Sequence, residues 1–284
     1  MVMCCFSGPV QRVKDTSILV RRTGDRQLVV YEMKLAADTP VAMILPLHVA
    51  PGGGEEALRF IDLGAHAELF DQLNAAFAAR YLSRGPAPQG LRPASLRVQQ
   101  VGAFEASYVP GLADFDRLDP RFRIDDSVWR RLPGYRDAGF AVFQLRAGEQ
   151  RIHPMAFEYA ARWPERLYFP TVHVHEGVLR YRADFDHSLY FQGFEVAELA
   201  GQRFGAGAKS LDARASQGDG ECSGVPAGAY VRGPLAAQLV DLEAPLFRLR
   251  LKGTLRNDDF WVMPDEADPQ LARTDRKVSA WEPV

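Results

Sequence analysis

Apolar and polar positions alternate through most of this chain, and a period near 3.6 residues appears clearly in one place only. Alternation over residues 17–22 and 27–36, flanking Thr23-Gly24-Asp25-Arg26, predicts a β-hairpin in which Gly24 takes the positive φ of the turn. Residues 41–47 form a short apolar run, the pattern of a buried strand. Residues 57–62, after Pro51-Gly-Gly-Gly-Glu-Glu, are apolar but too short to assign. The helix is predicted over 66–82, where Leu69, Phe70, Leu73, Phe77 and Tyr81 recur at three- and four-residue steps. A proline- and glycine-rich stretch, 83–93, reads as a loop and is the candidate subdomain boundary.

Beyond it, 95–100 and 104–109 read as paired strands, and 114–118 and 127–132 as short helices, the second capped by Asp125 or Asp126. From residue 139 onward the pattern is almost wholly β. Strands are predicted over 140–146, 152–160, 167–175, 178–182, 185–192 and 246–255. The last of these sets apolar residues against basic ones, the mark of a strand with one wet face. Residues 204–228, rich in Gly, Ala and Ser, read as a long loop or insertion. The fold class is therefore α+β: mostly antiparallel β-sheet with a few helices in the N-terminal half. One domain is expected over 1–263, followed by a polar tail, 264–284.

The 284 residues carry 34 basic and 36 acidic side chains, well mixed, for a net charge of −2. No basic tail or stripe is present of the kind nucleic-acid binding needs. No run approaches the roughly 18 apolar residues of a membrane span, and the N-terminus lacks the basic and apolar regions of a signal peptide. Three cysteines, an odd number, argue against a disulfide framework. The expectation is a cytoplasmic protein with reduced thiols, binding neither nucleic acid nor membrane.

The most specific chemistry lies in histidine. Four of the six histidines fall between His153 and His187, and His173-Val174-His175 ends a predicted strand. Residues two apart on a strand share a face, so both imidazoles and Thr171 would project together, with Val172 and Val174 opposite. Glu176-Gly177 would form a tight turn leading back through 178–182. If the turn were wider, centred near Arg180, His173 would lie opposite His187 with Cβ atoms about 5 Å apart. Either arrangement lets His173, His175 and His187 converge, with His153 a further candidate ligand and carboxylates from Glu176, Asp184 or Asp186 nearby. Three protein ligands and an open position suit catalytic zinc, and two histidines with a carboxylate suit non-haem iron.

The opening Met3-Cys4-Cys5-Phe6 gives a second candidate. A start at Met3 followed by its removal would expose Cys4 as an N-terminal nucleophile whose own amine serves as base. A thiolate from Cys4 or Cys5 beside His173 and His175 would instead favour copper. Gly52-Gly53-Gly54 lacks the Gly-Lys-Ser/Thr of a phosphate loop and reads as a flexible turn. The acidic segment 114–126 is interleaved with arginines, a pattern of surface ion pairs.

The stretches Met-Cys-Cys-Phe-Ser-Gly-Pro-Val, Met-Ile-Leu-Pro-Leu, His-Pro-Met-Ala-Phe-Glu and Phe-Pro-Thr-Val-His-Val-His resemble a group of uncharacterised bacterial proteins of unknown function. The likeness spans most of residues 3–192. It implies a start at Met3 and that the cysteine and histidine pairs belong to one protein type; it assigns no activity.

The first functional expectation is a transition-metal protein, holding copper, zinc or iron through His173, His175 and His187, with Cys4, Cys5 or His153 as further ligands. As an enzyme, an oxidoreductase or hydrolase acting on a small molecule or peptide, it would use Glu176 or Asp186 to move protons. The alternatives are an N-terminal hydrolase using Cys4, and a non-catalytic module whose sheet face binds a partner protein.

Overall fold

The computed structural model describes residues 5–82, 104–175, 177–192 and 220–262. The predictions for 83–93, 95–100, 264–284 and most of 204–228, together with Cys4 and Glu176, lie outside the described residues.

The predicted hairpin forms as β2 (Arg12–Thr23) and β3 (Arg26–Ala37), with Gly24 at φ 61°. These strands are the middle of a seven-stranded sheet. On one side of them lie β12 (Arg182–Gln192), β14 (Pro245–Arg256) and β13 (Glu221–Pro226); on the other, β8 (Gly148–Ala160) and β5 (Leu58–Ile61). A six-stranded sheet runs β11 (Val178–Leu179), β10 (Val174–His175), β1 (Cys5–Phe6), β4 (Val41–Leu47), β7 (Gly139–Leu145) and β6 (Phe104–Val109). The short strands β9 (Leu167–Phe169) and β15 (Phe260–Val262) pair separately. The pairs β1–β10 and β2–β12 are parallel, and the others antiparallel, so the α+β, mainly antiparallel reading holds.

Strand alternation explains how the sheets stack. Val41, Met43, Leu45 and Leu47 of β4 join Ile18, Val20, Val29 and Tyr31 in one core between the two sheets. Ala42 and Ile44 point the other way, into a second core roofed by the short helix α2 (Asp126–Arg130) and neighbouring turns. Every residue of β4 is thus buried, at about 1.5–3 kcal/mol for each large apolar side chain. The outer face of the seven-stranded sheet carries the third core. There α1 (Leu69–Leu82) packs Leu69, Phe70, Leu73 and Phe77 on Leu19, Val30 and Tyr190, beside the one-turn helix α3 (Ala236–Leu239).

The alternation in β14 also holds: Phe247, Leu249 and Leu251 enter the inter-sheet core while Arg250 and Lys252 are exposed. Arg248 is the exception. It is buried under α1, with its guanidinium 4.2 Å from the Phe77 ring and paired to Glu221. No helix among the described residues is long and apolar enough to cross a membrane.

Candidate functional site

The His173-Val174-His175 segment is a short strand entered through an irregular stretch. Regular pairing stops after Phe169, and residues 170–173 run without a strand neighbour until β10 begins at Val174. An unpaired buried backbone is costly, and a triplet far away in sequence meets that cost. Asn257 acts as a surrogate strand: its Oδ1 accepts from His173 N (2.7 Å), and its Nδ2 donates to the carbonyls of His173 (2.8 Å) and Arg180 (2.9 Å). The Asp258 carbonyl accepts from Thr171 Oγ1 (2.9 Å). Asp259 Oδ1 accepts from the backbone N–H of Thr171 (2.9 Å) and Val172 (3.2 Å).

Asp259 has a second set of donors. Tyr135 Oη donates to its Oδ2 at 2.5 Å. Tyr168 Oη lies 2.8 Å from the same oxygen and 2.9 Å from the Pro46 carbonyl, and its single proton serves one of them at a time. Burial pushes the Asp259 carboxyl up to about 6, against the pull of these hydrogen bonds. Burial, reinforced by the Asp259 charge, pushes the Tyr135 and Tyr168 hydroxyls well above their ordinary range.

His48 completes this centre. It is 3% exposed and ringed by Tyr135, Trp163, Tyr168 and Trp261 at centroid distances of 4.8–6.0 Å. Burial, with the charge of Arg162, holds its pKa down at about 3, so it is a neutral ring through the physiological range.

The structure brings two of the predicted ligands together. His173 and His187 are both buried, with ring centroids 5.3 Å apart and planes 16° from parallel; Phe185 stacks on His173 at 4.4 Å. They do not meet as cross-strand neighbours. The turn at Gly177 (φ 69°) is the tight one, pairing His175 with Val178, while β12 pairs with β14 and β2. His173 and His187 therefore meet across the gap between the sheets. Imidazole lone pairs lie in the ring plane, so two near-parallel rings do not aim at one point.

Other predicted residues are placed apart from this pair. On β12, Phe185, His187 and Leu189 face inward, which puts Asp186 on the opposite face, in an outer cleft. His153 is half-buried on β8, its Nδ1 3.2 Å from the Pro154 carbonyl. Cys5 does register beside the histidine strand, opposite Val174. Its thiol, however, faces Val172 and Val174 in the second core, 3.7 Å from the Val172 carbonyl, on the other side of the sheet from His173. Among the described residues, no group of three or more His, Cys, Asp or Glu side chains is placed to hold a metal ion.

The fold defined by these layers, two stacked sheets with a helical cover on each outer face, has a counterpart among solved structures. The chain is similar to the crystal structure of baculovirus P35, with a TM-score of 0.53 and 12% identity, over 92% of this chain and 99% of that one. Similarity extends to a mutated baculovirus P35 after caspase cleavage (TM-score 0.44, 12% identity, 88% of this chain and 100% of that one) and to P35 in the caspase-8/P35 complex (0.44, 11%, 88% and 96%). At such identities the likeness is one of fold. No family model and no curated protein matches the sequence.

Proposed function

We propose that this chain is a non-catalytic protein-binding module whose partner is a cysteine protease of the caspase class. The observation that carries the reading is the end-to-end correspondence with P35, which spans nearly all of both chains rather than a shared sandwich core; P35 is found in complex with caspase-8. The use this fold makes of its chemical groups supports the same reading. Asp259, Asn257 and His48 are spent on holding the 170–173 segment and sealing an aromatic centre, and Asp186 is turned away from His187. A cytoplasmic setting, with reduced thiols, suits such a partner.

Sequence also informs the choice of protease. The 83–103 segment, between the end of α1 and the start of β6, contains Arg84, Arg92 and Arg97 and no acidic residue. An aspartate-directed caspase has no matching residue there, and an arginine-directed relative has two candidate bonds, after Arg84 and Arg97, since Arg92 precedes Pro93. The test mixes the full chain with both kinds of protease and follows peptide hydrolysis, size exclusion and intact mass. Inhibition near equimolar ratio with a co-eluting complex is expected for at least one. Undiminished activity of both kinds at roughly 10 µM chain, with no complex, would sink the proposal.

A second reading keeps the metal. It is favoured by the two buried imidazoles packed side by side, with the Cys5 strand registered next to them. Copper, zinc or iron would need one ring to rotate so that both nitrogens face a common point. On this reading, elemental analysis of purified full chain finds near-stoichiometric metal, and His173→Asn with His187→Asn removes it while circular dichroism stays native. Metal-free protein, or metal retained by the double variant, rejects it.

A further inference from the structure

We propose that a cleft on the outer face of the seven-stranded sheet, beside the end of α3, binds a dianionic phosphate group. The cleft, of about 210 Å³, is floored by β2, β3, β8 and β5 and walled by Ala237 and Gln238 of α3. Strand alternation sets its floor. Leu19 of β2, Leu28 of β3, Ala156 of β8 and Ile61 of β5 face the third core on this side of the sheet. Arg21, Arg26, Glu158 and Arg59 lie two residues from them on the same strands and so project the same way. Arg21, Leu28, Glu158 and Arg59 stand in one row across four neighbouring strands.

Charge and hydrogen bonding select the ligand. Three guanidiniums share the cleft with one carboxylate, an excess of two positive charges. Glu158 is spent on holding two of them: its Oε1 accepts from Arg26 Nε at 2.6 Å and its Oε2 from Arg59 Nη2 at 2.7 Å. Arg21 has no carboxylate partner among the described residues. Its Nη1 donates instead to the carbonyls of Ala237 (3.0 Å) and Gln238 (3.2 Å). Two other carboxylates lie near. Asp25 is in the hairpin turn, and Asp241 sits by Gln192, the β12 neighbour of Arg21. Neither forms an ion pair among the described residues, and Asp241 accepts from the Glu243 N–H (3.0 Å).

A guanidinium carries five N–H donors in a rigid fork. Here each fork is gripped along one side only. Nε and Nη2 of Arg21, Nη1 of Arg26, and Nε and Nη1 of Arg59 have no acceptor among the described residues. Such forks match the oxygens of a phosphate two at a time, and a dianion cancels the excess charge. The sheet register fixes where the three stems start, while Glu158 and the end of α3 fix the heads. Much of the ordering cost of binding is thereby met before a ligand arrives.

This inference goes beyond the protease reading and does not rest on it. The test is calorimetric titration of the full chain at about pH 8, where phosphate is a dianion, and at low salt, because the cleft is open to solvent. The probes are inorganic phosphate, acetate, and a capped Gly-Ser-Gly peptide with and without phosphate on its serine. Both phosphates are expected to bind with a Kd of about 1 mM or tighter, and acetate and the plain peptide at least about tenfold more weakly. Arg21→Gln and Arg59→Gln should each weaken phosphate binding by about tenfold. Arg12→Gln removes an equal charge from the other end of β2, where Arg12 pairs with Glu149, and should change binding by less than about twofold. The Arg59 side chain is 61% exposed, so its variant keeps the test informative should Arg21→Gln loosen α3. Tighter binding of the phosphopeptide than of inorganic phosphate assigns the group to a phosphorylated partner; the reverse assigns it to a free small phosphate. No binding of either phosphate, acetate bound as tightly as phosphate, or equal losses in Arg12→Gln and Arg59→Gln overturns the proposal.

Discussion

Replacing Asp259 by alanine is expected to lower the unfolding free energy by about 3–5 kcal/mol and the melting temperature by roughly 10 °C. The variant strips acceptors from the buried N–H groups of Thr171 and Val172 and from the hydroxyl of Tyr135. Each orphaned buried donor costs about 1–3 kcal/mol. Asparagine should recover about half of the loss, because one carbonyl oxygen can still accept from the two backbone groups while its amide faces Tyr135. A double-mutant cycle isolates the clasp: Tyr135→Phe should cost at least about 1 kcal/mol in the native background and almost nothing after Asp259→Ala. Denaturant unfolding of the four proteins measures this. A loss below about 1 kcal/mol with no coupling would mean that the 170–173 segment is held by packing alone.

That clasp is also where the sequence stops being readable. Periodicity locates β2, β3, β4, β7, β8, β12, β14 and α1 because each buries one face or both against a continuous core, and burial leaves an apolar signal at a fixed period. The sequence over 167–175 reads as one continuous strand, yet the structure divides it at Pro170 into β9 and β10, which belong to different sheets. Asn257-Asp258-Asp259 holds the join by hydrogen bonds to residues 84–88 positions earlier. Side-chain bonds of that span impose no spacing, and three polar residues after a long strand look like an ordinary turn.

The histidine lead shows the same limit in another form. Alternation on β12 places His187 inward, and the chain brings His173 to it, but through the stacking of two sheets and not through strand pairing. Pairing partners within a hairpin can be proposed from turn chemistry; which faces of two sheets meet depends on the whole topology. The arginine cleft is invisible for that reason too. Arg21, Arg26, Glu158 and Arg59 come from four strands, and each of them alone reads as a solvated charge.

The second large effect expected is a pH dependence carried by His48. Its pKa is about 3 in the folded chain and near 6.5 when unfolded, because burial, with Arg162 nearby, disfavours the charged ring. Between those values the unfolded state binds more protons, so stability rises with pH and is lost as pH falls through the window. Two carboxyls work in the opposite direction. Asp259 is raised to about 6 and Glu32 to about 7, both chiefly by burial, so the folded state binds the extra proton and stability falls as pH rises through their windows. The wild-type profile therefore mixes opposing slopes, and the difference between wild type and His48→Phe separates them. Phenylalanine fits a site already lined by Tyr135, Trp163, Tyr168 and Trp261, and it does not titrate. Relative to wild type, the variant should gain about 3 kcal/mol between pH 7 and pH 4, at about 1.4 kcal/mol per pH unit below 6.5. Urea unfolding at both pH values reads that difference directly. A constant offset between the two proteins would show that His48 is protonated inside its aromatic ring and that the centre admits water.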